Sequence, residues 1–474
     1  MYNVQNLKKN YLLFAVLTPL LFFIFSCNST DNKRNTTFFG GKIKNPKGPF
    51  VYLYDGNKIM DSAKIDVHSK FTFLLDSIKT GLYTFKHGLE YQYLYLEPKD
   101  SLLIYLNTWD FDESLIFSGK GSAKNNYLIN LYLQQEKNEK EFSYNYNLNE
   151  KEFSKLIDEG IRKQFAEYNE LLIEEGGELF PFFDKLVKTG IYLPFYLLKE
   201  FYPFNHKRIA GLKDFPKLSE DFYSYRKNIN FNDEDLLYYA PYTSYIRVYL
   251  YNMAYSEAAN NPKNCNIELN FMKIVNEKIK IESLRNKFLA GSLWNSLSND
   301  LISKNDFKEI EDFYFMSCTN DEFNNEIKRA IYQKSKLHKG DTLPNLLAIN
   351  SQGNEIKINN LTKNSNTVIY FWPTDPTKVS LTKDKLLHLK KKYPNILFIG
   401  IERNKNNEDW KKFISTKKLS SNSQFYLSEN SDNYAIFSGD MARAIILDKN
   451  GFVKNSFSFF DDKYFEKYLK SLKY

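Results

Sequence analysis

The hydrophobic period changes twice along this chain, so the sequence cannot fold as a single kind of layer. From Thr36 to Gly121 the apolar residues come in short alternating runs, among them Val51-Tyr52-Leu53-Tyr54, Phe71-Thr72-Phe73-Leu74, Tyr91 to Leu96 and Leu102 to Leu106. Turn signals such as Asp55-Gly56-Asn57, His68-Ser69-Lys70 and Pro98-Lys99-Asp100-Ser101 separate them. Strands at this spacing without intervening helices predict a β-sandwich over 36–121. Over 122–339 the period becomes three to four. Asn149 and Glu152 form a capping-box pair, and Phe153, Leu156, Ile157, Ile161, Phe165, Tyr168 and Leu172 follow on one face. Pro241 suits the first turn of another helix, with Tyr245, Val248, Tyr249, Asn252 and Met253 along it, while Gly176-Gly177 and Asn261-Pro262 mark breaks. Over 340–474 strand-like and helix-like runs alternate. A length of 474 residues exceeds what one hydrophobic core holds, so a multidomain chain is expected: an N-terminal β-sandwich, a central all-α region and a C-terminal α/β unit.

The first residues carry an address. Lys8 and Lys9 precede an apolar run from Tyr11 to Phe25, too short for a membrane-spanning helix and the right length for a signal peptide. Ile24-Phe25-Ser26-Cys27 then places a small residue before a cysteine. This resembles a bacterial lipoprotein lipobox, with Phe25 departing from the usual residue two before the cysteine. The resemblance implies cleavage over 1–26, acylation of Cys27 and a polar tether over 27–35. Asn28 is not the aspartate associated with inner-membrane retention, so the outer membrane, facing the periplasm, is the expected location. An ordinary cleaved signal or an uncleaved anchor containing a cysteine is the alternative.

The net charge of +8 includes Lys8 and Lys9, and the remaining charges are interspersed, with no cationic block beyond Lys390, Lys391 and Lys392. A nucleic-acid footprint would concentrate them, so nucleic acid is not expected as a partner. Ser118-Gly119-Lys120-Gly121-Ser122 lacks phosphate-loop spacing and reads as a strand-ending turn. No two of the five histidines stand at metal-ligand spacing, no G-x-S-x-G elbow is present, and no cofactor is expected.

In the last segment, Gly340-Asp341-Thr342-Leu343-Pro344-Asn345-Leu346, then Gly353 and Leu361, precede the strand Val368-Ile369-Tyr370-Phe371-Trp372. This resembles the opening of the TlpA-like thioredoxin and redoxin family. The following runs, ending in a hairpin around Asp448-Lys449-Asn450-Gly451 and a last helix, read β-α-β-α-β-β-α, the order such a fold requires. The stretches Glu97 to Ser101 and Gly119 to Asn125 are similar to an uncharacterised β-rich domain that often precedes TlpA-like domains in exported lipoproteins.

The resemblance implies dithiol chemistry, in which a cysteine at a helix N-terminus attacks and a second, three residues on, resolves. This chain cannot perform it there, because no cysteine follows Cys318. Aligned on Phe371-Trp372, Asp375 falls at the family's second tryptophan, Pro376 at the attacking cysteine and Val379 at the resolving one. Ala442 matches the family's cis-proline. A non-proline cis bond costs about 2.5–4 kcal/mol, so a trans bond is expected. The main expectation is therefore a degenerate thioredoxin-like unit with a binding or scaffolding role, no catalytic residues and a protein partner in the envelope. Its candidate partner surface is Trp372, Asp375 and Pro376, against the alternative that Trp372 is core. Two other readings stay open. One is an oxidoreductase using Cys265 and Cys318; the other is a ligand-binding helical region, which a deep aromatic pocket among the helices would favour, with the thioredoxin fold as a cap.

Overall fold

In a computed structural model the chain is described over residues 36–260, 266–299, 301–374, 376–403, 407–417, 419–439, 441–460 and 465–472. Cys27, Cys265, Asp375 and the Asn261-Pro262 break lie outside the described residues.

The first eight strands are β1 (Thr36–Lys44), β2 (Phe50–Asp55), β3 (Lys58–Lys64), β4 (Lys70–Asp76), β5 (Gly81–His87), β6 (Glu90–Leu96), β7 (Ser101–Asn107) and β8 (Ile116–Lys120). They form two four-stranded sheets, ordered β4-β1-β7-β8 and β3-β2-β5-β6. Alternation decides which face is inside: on β4, Phe71, Phe73 and Leu75 are buried, while Leu74 between them is exposed. These residues meet Val51, Leu53, Phe85 and Leu94 of the second sheet in one core.

Eight helices follow: α1 (Ser122–Ser143), α2 (Glu150–Glu174), α3 (Pro181–Ile209), α4 (Ala240–Asn260), α5 (Ile267–Lys278), α6 (Glu282–Ser298), α7 (Lys304–Ser317) and α8 (Asp321–Ser335). The stretch read as a strand-ending turn is also the hinge into α1. Asn125 uses its side-chain oxygen to accept from the Tyr95 amide and its Nδ2 to donate to the Tyr95 carbonyl, both at 2.8 Å. Asn126 makes the same pair of bonds with Phe117, both at 2.9 Å. Tyr95 and Phe117 sit on β6 and β8, the outer strands of the two sheets, so two adjacent side chains satisfy exposed strand edges.

Asn149 caps α2 in a complete capping box with Glu152. Gly176 and Gly177, at φ of 87° and 90°, end the helix in the left-handed conformation that only glycine adopts freely. On α4 the buried residues are Tyr242, Tyr245, Ile246, Leu250, Ala254 and Ala258, and Val248, Tyr249, Asn252 and Met253 are partly exposed. The buried face is thus rotated from the one expected, because α3 and α5 both pack against this helix.

The C-terminal part holds β9 (Leu347–Ile349), β10 (Glu355–Lys357), α9 (Ile358–Leu361), β11 (Thr367–Phe371), α10 (Pro376–Lys392), β12 (Leu397–Glu402), α11 (Asn407–Thr416), β13 (Gln424–Leu427), α12 (Tyr434–Phe437), β14 (Ala444–Leu447), β15 (Val453–Ser458) and α13 (Phe465–Ser471). Its sheet order is β10-β9-β13-β12-β11-β14-β15. β11 and β12 run parallel, joined by α10, while β14 and β15 run antiparallel beside β11. A parallel β-α-β unit next to an antiparallel β-β-α unit is a thioredoxin-like arrangement. Sequence reading finds this frame and misses β9, β10 and β13, which are three or four residues long.

The helical region docks onto this sheet. Leu297 of α6, Ala330 of α8 and Phe457 of β15 form a small core, with Trp294 stacked 6.4 Å from Phe457. Gln333 of α8 donates to the Ser438 carbonyl at 2.7 Å. No helix among the described residues is long and apolar enough to cross a membrane.

Candidate functional site

The site lies at the C-terminal end of β11, where the strand hands the chain to α10. All five β11 residues are buried, since the strand lies in the middle of the sheet between layers of helices. Trp372 follows at 1% exposure. Its indole Nε1 donates to Gln424 Oε1 at 2.8 Å, and Gln424 Nε2 donates to the Tyr370 hydroxyl at 2.8 Å. Trp372 is therefore a core residue, which corrects its place in the expected partner surface: its ring meets Tyr370 and Phe413 edge-on. Pro376 opens α10, a position where the missing amide hydrogen costs the helix nothing. Val379, at the resolving-cysteine position, is 2% exposed and packs with Trp372, Leu386 and Leu389.

Ala442 lies in the segment entering β14, and no peptide bond among the described residues is cis. That segment is fixed by Arg403, which sequence reading missed. Arg403 Nη2 donates to the Met441 carbonyl at 2.7 Å and reaches the Trp372 carbonyl at 3.4 Å, tying the two loops together. Arg443, also missed, is 2% exposed; its Nη1 donates to the Ser456 carbonyl at 2.8 Å and its Nη2 to the Ile436 carbonyl at 2.5 Å. Both guanidinium groups lie over Phe371, at 4.9 and 5.1 Å from its centroid. Burial, then the like charge of Arg403, pull the Arg443 pKa down to about 9, which leaves it protonated at neutral pH. The available signal was a cation directly adjoining a largely apolar strand, Arg403 after Ile399-Gly400-Ile401-Glu402 and Arg443 before Ala444.

Pro373, Thr374, Lys378 and Ala442 come together around a cavity of about 580 Å³, roofed by Trp294 and Glu326 from the helical region. The helical region thus reaches the loop between β11 and α10. Cys318 is not in this cavity; it is a free thiol, 5% exposed, within the helical core. Among the described residues no three His, Cys, Asp or Glu side chains converge as a metal site.

A second cavity, of about 450 Å³, lies where β6 of the sandwich faces α1, α3 and the start of α4. Tyr91, Tyr93, Tyr132, Tyr239, Phe195 and Phe201 contribute to its wall, and its charged residues Glu90, Asp112, Glu136 and Glu139 are all acidic. Burial raises the Asp112 carboxyl above its ordinary range, although it accepts from Gln92 Nε2 at 2.9 Å.

The sequence matches no family model and no curated relative. Several solved structures share part of its shape. A Bacteroides vulgatus protein assigned as a thiol-disulfide oxidoreductase is 19% identical, with 29% of this chain and 99% of that one covered at a TM-score of 0.26. The thioredoxin domain of another Bacteroides vulgatus thiol-disulfide oxidoreductase is 21% identical, covering 25% of this chain and 86% of its own at 0.22. A thiol:disulfide interchange protein from Bacteroides sp. is 22% identical, covering 25% and 79% at 0.21. The thioredoxin-like character of the C-terminal unit rests on its own strand order and directions.

Proposed function

We propose that this protein is a membrane-anchored envelope lipoprotein whose thioredoxin-like unit binds without catalysing thiol-disulfide exchange. One observation carries the reading: at the two positions the resemblance assigns to the reactive dithiol the chain has Pro376, which opens α10, and Val379, which is buried in the core beneath it, while Ala442 lines the neighbouring cavity. Exchange needs a thiolate that can reach the disulfide it attacks. Pro376 and Val379 supply none, and Cys318 is enclosed elsewhere. The roof of Trp294 and Glu326 favours a compact ligand over an extended polypeptide at this edge. Acylation of Cys27, with its two or more chains, would hold the unit at a bilayer.

The test is turnover of an insulin-type disulfide by the purified mature chain, with Cys265→Ser and Cys318→Ser variants in parallel. No turnover above background is expected. Robust turnover abolished by either substitution would assign the chemistry to the helical region. Mass spectrometry of the mature N-terminus should find an acylated Cys27, and an unmodified peptide spanning Ser26-Cys27 would reject the anchor.

The cavity between β6 and the helices favours a second reading, in which the helical region is the ligand-binding part. Its aromatic wall and acidic residues suit an apolar cation.

A further inference from the structure

The cavity beside Ala442 has a charge pattern that the loss of redox chemistry does not explain. Arg443 belongs to its wall and is 2% exposed, yet among the described residues its guanidinium finds only the carbonyls of Ser456 and Ile436 and the rings of Phe371 and Phe457. Its Nε–H is buried with no acceptor among the described residues. A buried cation without a carboxylate is costly, and such groups are ordinarily paired or neutralised. Lys378 and Lys385 stand two helical turns apart on α10, both lining the same cavity, and neither forms an ion pair among the described residues. Against these three cations the described wall offers one carboxylate, Glu326. The rest of the lining is largely apolar, with Trp294, Phe459 and Phe460 on one side and Leu381 on the other. A volume of about 580 Å³ falls in the range of small-molecule sites.

We propose that this cavity binds a small organic carboxylate, its charged end among Arg443, Lys378 and Lys385 and its apolar body against Trp294, Phe459 and Phe460. Arg443 places a fixed positive charge in the wall, where burial leaves it little screened by water. The lysines draw the anion in from the open side of α10. An inorganic anion would leave the aromatic side unfilled, and a cation would meet three like charges. This inference deepens the binding reading above and depends on it.

The test is calorimetric titration of the full mature chain with three probes sharing one body: 4-phenylbutyrate, 4-phenylbutanol and 4-phenylbutylamine. The carboxylate should bind, the alcohol about tenfold more weakly or worse, and the amine not at all. Trp294 lines the cavity, so its fluorescence should change on binding. The double variant K378E/K385E changes exposed residues and should fold. It should weaken the carboxylate by about tenfold. Arg443→Gln should abolish binding where circular dichroism shows it folded. Failure of the carboxylate to bind, equal binding of the alcohol, or unchanged affinity in K378E/K385E would each overturn the proposal. Disulfide turnover by the wild type would instead defeat the non-catalytic reading, so the two failures are distinguishable.

Discussion

Replacing Trp372 by alanine separates a core from a surface role at the end of β11. The indole is 1% exposed and packs edge-on against Tyr370 at 5.4 Å and Phe413 at 5.3 Å between ring centroids. Truncating a buried tryptophan costs about 3–5 kcal/mol through lost transfer energy and the cavity left behind. A second loss adds to it, because Gln424 Oε1 loses its donor; a buried acceptor left alone costs about 1–3 kcal/mol. The sum lies near the upper end of what single core mutations remove. Trp372→Phe isolates the polar part, keeping an aromatic body while deleting the donor, and should cost about 1–3 kcal/mol. Gly400→Ala attacks the same cluster from below, since an added Cβ would overlap Gln424 Oε1 and the Tyr370 hydroxyl. The assay is native-state hydrogen exchange on β11 and β12, which reports the C-terminal unit separately from the rest. Trp372→Ala within about 1 kcal/mol of wild type would refute the core assignment, because a surface substitution costs no more than that.

In the helical region, Glu200 is fully buried and accepts from Arg226, from the hydroxyls of Tyr225 and Tyr245 at 2.9 and 3.3 Å, and from Asn252 Nδ2 at 2.6 Å. Glu200→Ala strands the guanidinium and should cost about 3–5 kcal/mol in urea unfolding; a loss under about 1 kcal/mol would show that the network is not holding α3 to α4. In the sandwich, the Lys47 amide donates to His87 Nε2 at 2.8 Å and Nδ1 donates to the Phe50 carbonyl at 2.9 Å, so the ring is neutral. Burial lowers its pKa below the ordinary 6.5. The unfolded chain therefore takes up this proton first, and stability should fall as pH drops below about 6.5, by at most about 1.4 kcal/mol per pH unit. His87→Gln should lessen that slope in melts between pH 7.5 and 5.5; an unchanged slope would place the titration elsewhere.

What the sequence disclosed follows from how local the cause is. The Asn149–Glu152 box, the stripe on α2 and the turn at Asp448 to Gly451 need only neighbours within a few residues, and the structure has all three. The short strands β9, β10 and β13 carry too few residues for a period and exist because a sheet is there to accept them. The two asparagines at 125 and 126 show the same limit. They fall at the start of the stretch read as helical, and nothing in the sequence signals that each bonds a strand at least nine residues away. Trp372 looks the same from sequence whether exposed or buried, and only Gln424, 52 residues on, decides between them.

The same distance argument bears on the candidate site. That the C-terminal unit carries no cysteine of its own is legible from composition alone, since none follows position 318. The cavity is not, because it draws on segments far apart in the chain: α6 and α8, the end of β11, α10, the Met441-Ala442-Arg443 strand entry and the Phe459-Phe460 pair. An open redox edge must admit a polypeptide and then release it. Here Gln333 and Trp294 fasten the helices to the C-terminal sheet, leaving room for something the size of a side chain or a metabolite. At the position the resemblance assigns to a resolving thiol, Val379 is packed against Trp372 and Leu386, while on the same helix Lys378 and Lys385 are exposed and line the cavity together with Arg443.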